Sequence, residues 1–216
     1  MNLPFSPEQF FDVFERYNNA VWPAQIILNL LGVSAILLAV KRIPASDKLI
    51  SLILGVLWIW TGTAYHLSFF VAINPAAYAF AVLCLIQALL FLWFGVFKSR
   101  LEISFRADLY GLIGALFLLY ALILYPLLGA ASGHVFPRTP SFGLPCPTTI
   151  FTFGLLFWAD RALPKSILIL PFIWSITGSS AAFTMGVYED AGLLVSGVAA
   201  LALLAFRPAR TPVLQG

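Results

Sequence analysis

Seven apolar segments make up most of the chain, and short polar or proline-containing connections separate them. The segments cover roughly residues 20–40, 49–73, 76–97, 108–130, 144–160, 164–187 and 190–206. About 20 apolar residues in an α-helix cross the hydrocarbon core of a bilayer. The pattern therefore predicts an all-α integral membrane bundle of seven transmembrane helices. Six crossings are the alternative, with the short fifth or seventh segment re-entrant.

A short amphipathic helix is predicted within residues 1–19, before the bundle. Ser6, Pro7 and Gln9 stand in the order of a helix N-terminus with a capping box. Aromatic side chains then recur at helical spacing on one face, at Phe10, Phe11, Phe14 and Tyr17. Such a helix can lie in the membrane interface or pack on the end of the bundle, and the sequence leaves both alternatives open.

The composition supports a lipid bilayer as the main partner of the chain. Hydrophobic residues make up 61% of it and charged residues only 10%, against about 45–50% and 25% in soluble domains. The formal net charge is +3, which by itself would also suit nucleic acid. The basic residues lie in the connections between apolar segments, however, so we predict no nucleic-acid partner.

The distribution of lysine and arginine predicts the orientation, because short cytoplasmic loops are enriched in both. One set of alternate connections, together with the C-terminal tail, holds ten of them: Lys41, Arg42, Lys48, Lys98, Arg100, Arg106, Arg161, Lys165, Arg207 and Arg210. The other side holds only Arg16 and Arg138. We therefore expect an extracytoplasmic helix in 1–19, a bundle in 20–206 and a cytoplasmic tail in 207–216.

Polar residues concentrate on the predicted extracytoplasmic side. The stretch 133–149, GHVFPRTPSFGLPCPTT, contains four prolines between the fourth and fifth segments. His66 lies seven residues before the outer end of its segment, about 10 Å below that surface. We expect an outward-facing polar vestibule that binds an ion or small solute, and its candidate residues are His66, Asn74, His134, Arg138, Glu189 and Asp190.

Each of these residues also has a purely structural interpretation. An ionisable side chain within a span usually faces the bundle interior, and Thr61, Thr63 and other nearby hydroxyls could hydrogen-bond His66. Asp190 precedes the last segment, where an acidic residue caps a helix and favours its dipole. Glu189 is the freer carboxylate, and we expect it to bind a cation or to pair with Arg138 or His134.

A second hypothesis is a membrane-embedded metal-binding or redox enzyme or module. The nitrogen and sulfur donors of His66, His134 and Cys146 would suit zinc or copper, although their spacing matches no metal motif. A third hypothesis is a structural or accessory subunit without chemistry. The chain has no P-loop, HExxH or Gly-x-Ser-x-Gly pattern, so the commoner signatures of soluble enzymes are absent. The sequence favours a protein without enzymatic activity and leaves the enzyme alternative open.

Four blocks of the sequence resemble a bacterial family of small multi-pass membrane proteins known only as a domain of unknown function. They are FSPEQFFDVFERYN at 5–18, INPAAYAF at 73–80, GHVFPRTPSFGLPCPTTIFTFGLL at 133–156 and GVYEDAGLL at 186–194. The resemblance covers nearly the full length and implies a bacterial inner membrane, without an established activity. We favour a transporter or permease-like protein, in which a homodimer or a partner membrane protein could complete the pathway.

Overall fold

The computed structural model describes residues 4–204, and within them the chain is helical without a β-strand apart from two isolated bridges. The predicted tail 207–216, with Arg207 and Arg210, lies outside the described residues. The helices are α1 (Pro7–Val21), α2 (Ala24–Lys41), α3 (Ser46–Ala72), α4 (Ala77–Phe97), α5 (Leu109–Ala131), α6 (Pro145–Phe157), α7 (Lys165–Met185) and α8 (Ala191–Leu203). The predicted all-α class is confirmed.

Five of these helices, α2, α3, α4, α5 and α7, are long and apolar enough to cross a membrane. Their length and composition indicate a membrane protein. The helices α6 and α8 have 13 residues each, which corresponds to about 20 Å and falls short of a hydrocarbon core of about 30 Å. The two short segments of the sequence are thus also the two short helices of the bundle.

The connections gather at two ends of the bundle. At one end, the Phe105 N–H donates to the Ala39 carbonyl at 3.0 Å, and the Ser104 N–H donates to the Trp158 carbonyl at 3.0 Å. Since eight of the ten described lysines and arginines lie in or beside these connections, we call this the basic end. The connections at the opposite end lie beside α1, and we call it the α1 end. Helix α6 runs from the α1 end to the basic end.

Helix α6 forms the centre of the bundle, where α3, α5, α7 and α8 pack around it. All of its residues except Cys146 are buried, so neighbouring helices rather than lipid surround this short segment. Glycine allows the closest of these contacts. A Cβ atom placed on Gly114 of α5 would lie 2.7 Å from the carbonyl oxygen of Gly154 of α6.

The outer helices present branched apolar side chains away from this centre. On α2, the exposed large side chains are Ile26, Ile27, Leu30, Val33, Leu37 and Val40. Comparable exposed rows follow α5 and α7. Apolar surface of this extent is rare on proteins that face water, and it agrees with the membrane character of the helices.

Two of the helices that matter for the site are irregular. Helix α3 widens to a π-helix over Thr61–Leu67. Helix α7 contains Pro171, which has no N–H to donate to the carbonyl of Ile167. The Gln87 side chain from α4 donates to that carbonyl instead, at 3.1 Å. The backbone group left without a helical partner is therefore satisfied by an adjacent helix.

Helix α1 packs its apolar face on the α1 end of the bundle. Its predicted capping box is confirmed, since the Gln9 N–H donates to Ser6 Oγ at 3.2 Å and the Ser6 N–H donates to Gln9 Oε1 at 2.8 Å. The buried residues of the helix are Val13, Phe14, Tyr17 and Asn18. Of the two arrangements left open by the sequence, the structure has the helix packed on the end of the bundle.

Candidate functional site

A cavity of about 140 Å³ lies beneath α1, among the ends of α3, α4, α5, α6 and α7. We call it the chamber. Eight aromatic rings line it, together with a few polar side chains. Three of the rings, from Phe5, Phe10 and Phe14, come from the N-terminal region and cover the chamber. It is therefore a covered, mainly aromatic cavity, which differs from the open polar vestibule that we expected.

His66 lines the chamber from the π-helical part of α3 and has no exposed surface. Neither of its ring nitrogens has a hydrogen-bond partner among the residues that the structure describes, 4–204. The neighbouring hydroxyls do not supply one, because Thr61 donates to the carbonyls of Leu57 and Gly143, and Thr63 donates to that of Ile59. Threonine hydroxyls within helices commonly bond backwards to the preceding turn in this way.

Aromatic rings surround the imidazole of His66. The ring centroids of Tyr65, Phe70, Phe80 and Trp174 lie 5.2, 5.8, 5.6 and 5.3 Å from its own centroid. Burial removes the water molecules that would otherwise hydrogen-bond the imidazole, and aromatic rings offer almost no hydrogen bonds to replace them. The position therefore calls for a polar partner that these neighbours cannot provide.

Asp190 lines the chamber from the turn before α8 and is buried. Its Oδ1 atom accepts a hydrogen bond from the Tyr125 hydroxyl at 2.6 Å. Burial raises the pKa of the Asp190 carboxyl to about 7. Asp190 is the N-cap residue of α8, as the structural interpretation expected, but its side chain makes no cap hydrogen bond to that helix. The Tyr125 hydroxyl binds the carboxylate in place of the helix N–H groups.

Two further candidates share the chamber. Cys146 lies in the first turn of α6, close enough to the Asp190 carboxyl to interact with it. Asn74 lies in the turn between α3 and α4, where its Oδ1 accepts the Ala76 N–H at 3.0 Å. The structure thus brings together four residues that the sequence proposed, namely His66, Asn74, Cys146 and Asp190.

Two of the remaining candidates, His134 and Arg138, line an outer pocket that α1 and residues 133–138 form. There the His134 Nδ1 lies 2.9 Å from Oε1 of the buried Glu189 side chain, and the Phe11 ring packs 4.6 Å from the imidazole. Of the two partners expected for Glu189, the structure has His134. Glu189 and Asp190 are adjacent in the chain, but their side chains belong to different sites.

Arg138 pairs with α1 instead of Glu189. Its Nη1 lies 2.9 Å from Asp12 Oδ1 and 3.3 Å from Glu15 Oε2. All three side chains are substantially exposed, so each pair contributes at most about 1 kcal/mol. We infer that Arg138 helps to hold the outer loop against α1 and does not reach the chamber.

The buried Asn18 side chain fixes α1 to the same loop more firmly. Its Nδ2 donates to the carbonyls of Pro137 and Thr139 at 2.7 and 2.8 Å. Its Oδ1 accepts from Ser141 Oγ at 2.7 Å. The proline-rich stretch and the C-terminal half of α1 therefore form one hydrogen-bonded cover over the end of the bundle.

The residues considered as metal ligands are not assembled. Within residues 4–204, no group of three or more His, Cys, Asp or Glu side chains is arranged to hold a metal ion. His66 and Cys146 line the chamber, whereas His134 lies in the outer pocket with Glu189. The donors proposed for zinc or copper are thus divided between two sites.

Sequence reasoning missed Trp174, whose ring packs against His66. Its Nε1 is buried and lies within reach of the Cys146 side chain. The small residues Gly178, Ala181 and Ala182 follow it on the wall of the chamber, one and two turns along α7. A large aromatic residue followed at helical spacing by small ones was the available signal for this wall.

A sequence model of one protein family, described as a family of unknown function (DUF6064), matches residues 7–214. The expected resemblance to an uncharacterised family is confirmed, although the description names neither a membrane nor an organism. No curated protein and no solved structure matches the chain. The comparisons supply a family without an activity, so the function rests on the geometry of the chamber.

Proposed function

The chain belongs to DUF6064, a family of unknown function, and we propose that it is a transporter or permease-like membrane protein that binds a small solute in the chamber. One observation carries this proposal. Both ring nitrogens of His66 are buried on the chamber wall without a hydrogen-bond partner among residues 4–204. Buried polar side chains are nearly always hydrogen-bonded, and a bound solute would supply a partner for the imidazole.

The size of the chamber restricts the solute. An apolar cavity of about 150 Å³ holds one benzene molecule, and the chamber has about 140 Å³. We infer a solute of about five to eight non-hydrogen atoms. It must offer at least one hydrogen-bonding group to His66, while the remaining surface faces aromatic rings.

For the membrane placement, we propose seven crossings with the α1 end extracytoplasmic, in a bacterial inner membrane. The support is the charge distribution, with eight described lysines and arginines at the basic end against Arg16 and Arg138 at the α1 end. Helix α6 can be counted as a crossing despite its length, because other helices surround it and it faces little lipid.

Two features favour passage of the solute over static binding. A second cavity of about 40 Å³ shares Phe80, Trp174 and Thr177 with the chamber and continues beside α7 towards Leu170. Pro171 and the π-helical part of α3 are places where the lining helices can bend, since prolines and π-turns are common sites of kinks. The chamber would open by movement of the N-terminal half of α1, which carries Phe10 and Phe14.

The experiment is solute flux into liposomes that contain the purified protein, with a panel of cationic, neutral and anionic solutes of this size. We expect flux of at least one class above that of empty liposomes. Ala181→Leu fills the chamber and should abolish it. The matched control is Ala130→Leu, which alters an exposed alanine on α5 and should leave flux unchanged.

Two results would overturn the proposal. Flux equal to that of empty liposomes for every solute, together with no saturable binding, would favour an accessory protein without a solute. Stoichiometric zinc or copper lost on His134→Ala would favour a metal module. Orientation is tested separately with single cysteines at positions 138 and 161 in a cysteine-free background. We expect an impermeant thiol reagent to label only position 138 from the periplasmic side.

A further inference from the structure

The chamber wall has an unusual combination of groups. Its eight aromatic rings are those of Phe5, Phe10, Phe14, Tyr65, Phe70, Phe80, Tyr125 and Trp174. The face of an aromatic ring carries negative electrostatic potential and attracts cations by about 0.5–2 kcal/mol. A wall rich in such rings binds a compact cation better than a compact anion of the same shape.

The charged groups on the chamber wall also favour a cation over an anion. Asp190 lines the chamber, and no lysine or arginine among the described residues does. The Tyr125 hydroxyl fixes one carboxylate oxygen of Asp190 at 2.6 Å. An anion in the chamber would meet this carboxylate and the ring faces without a compensating positive side chain, whereas a cation would be attracted by both.

The unpaired imidazole provides a third, independent indication. A neutral histidine has one ring nitrogen that accepts a hydrogen bond and one that donates. The ring of His66 lies among aromatic rings, and neither of its nitrogens has a partner within the described part of the chain. An N–H group of the solute would satisfy the accepting nitrogen. A quaternary ammonium has no N–H group and could not.

We propose that the chamber binds a small alkylammonium ion, meaning a protonated amine of about five to eight non-hydrogen atoms. The ammonium group donates to the carboxylate of Asp190 and to a ring nitrogen of His66, and the alkyl part packs on the aromatic rings. This inference rests on the proposed function, because it names the class of solute for the same chamber.

The test uses four compact, branched probes that differ in charge and in N–H groups. They are tert-butylammonium, tetramethylammonium, tert-butanol and pivalate. Equilibrium binding to the purified full chain is measured by calorimetry, at a pH about one unit above 7, where the Asp190 carboxyl is mostly ionised. We expect tert-butylammonium to bind most tightly, then tetramethylammonium, then tert-butanol, with pivalate weakest.

Variants identify the groups responsible. Asp190→Asn should weaken tert-butylammonium binding at least about tenfold, which corresponds to about 1.4 kcal/mol, and change tert-butanol binding less than about twofold. The matched control is Glu189→Gln, since this adjacent carboxylate lies outside the chamber against His134. Glu189→Gln should weaken the binding of tert-butylammonium by at most about threefold. His66→Leu should weaken the binding of tert-butylammonium more than the binding of tetramethylammonium.

The outcomes separate this inference from the proposed function. If tert-butanol or pivalate binds as tightly as the cations, or if Asp190→Asn leaves cation binding unchanged, the alkylammonium assignment is wrong while a solute chamber stands. If none of the four probes binds, the assignment also fails, and the flux panel with Ala181→Leu decides the proposed function by itself. Gel filtration and tryptophan fluorescence of each variant exclude misfolding as the cause.

Discussion

Removal of one hydroxyl group tests the environment of Asp190. The Tyr125 hydroxyl donates to Asp190 Oδ1 at 2.6 Å, and both residues are buried. This hydrogen bond favours the ionised carboxylate, and the pKa of the Asp190 carboxyl is about 7 because burial outweighs it. Tyr125→Phe leaves the burial and removes the donor, so the ionised form loses stability and the pKa must rise.

The size of the rise follows from the kind of bond that is lost. A hydrogen bond to a charged group contributes about 1.5–3 kcal/mol, and one pKa unit corresponds to about 1.4 kcal/mol. We therefore expect the pKa of Asp190 to increase by about one to two units in Tyr125→Phe. The matched control is Tyr120→Phe, because the Tyr120 hydroxyl donates to the backbone carbonyl of Glu189, at 2.6 Å, and not to a carboxylate.

Infrared spectroscopy measures the pKa of the Asp190 carboxyl directly. The carbonyl stretch of a protonated carboxylic acid is followed against pH, and the band of Asp190 is identified by its loss in Asp190→Asn. The wild-type band should disappear with a midpoint near pH 7, and the Tyr125→Phe band at a higher pH. An unchanged midpoint in Tyr125→Phe, or an equal shift in Tyr120→Phe, would refute the reasoning.

Three further changes give independent tests of the fold. The pKa of the Asp190 carboxyl is about 7 in the folded state against an ordinary value of 3.8, so the folded protein holds this proton more tightly than the unfolded chain. The contribution of Asp190 to the free energy of unfolding is therefore complete below about pH 4 and is lost as the pH rises to about 7, a decrease of about 4 kcal/mol. Asp190→Asn should remove this decrease when unfolding is measured as a function of pH. Gln87→Leu leaves the Ile167 carbonyl without its donor and should lower the free energy of unfolding by about 1–3 kcal/mol, whereas Asn29→Leu, which loses only a bond within α2, should cost less. Gly114→Ala would place a Cβ atom 2.6 Å from the Trp158 ring and should lower the melting temperature. The control Gly32→Ala should lower it less, because its Cβ atom would lie 3.2 Å from the flexible Phe142 ring. Equal decreases in the two variants would contradict the close packing of α5 on α6.

The helical segments could be predicted from the sequence because lipid imposes a strong and simple constraint. Each apolar run had to become a helix, since backbone groups in a bilayer need partners within the segment. The capping box at Ser6 was likewise predictable from local residues. The central position of α6 was not, because its hydrophobicity resembles that of the outer helices and only the packing shows which of them face lipid.

The site could be predicted only in part. The sequence placed His66, Cys146, Asp190 and His134 near one end, and the structure has them near that end. It could not separate the chamber from the outer pocket, because the directions of Glu189 and Asp190 depend on which residues of α5 and the outer loop meet them. Those partners, Tyr125 and His134, are 65 and 55 residues away in the chain.

Saturable binding of tert-butylammonium to the chamber is the most direct test of this account. The purified protein should bind about one molecule per chain, Ala130→Leu should bind equally, and Ala181→Leu, with its chamber filled, should bind none. The same binding in Ala181→Leu as in the wild type, in a variant shown to be folded, would place the solute elsewhere and contradict the assignment of the chamber as the functional site.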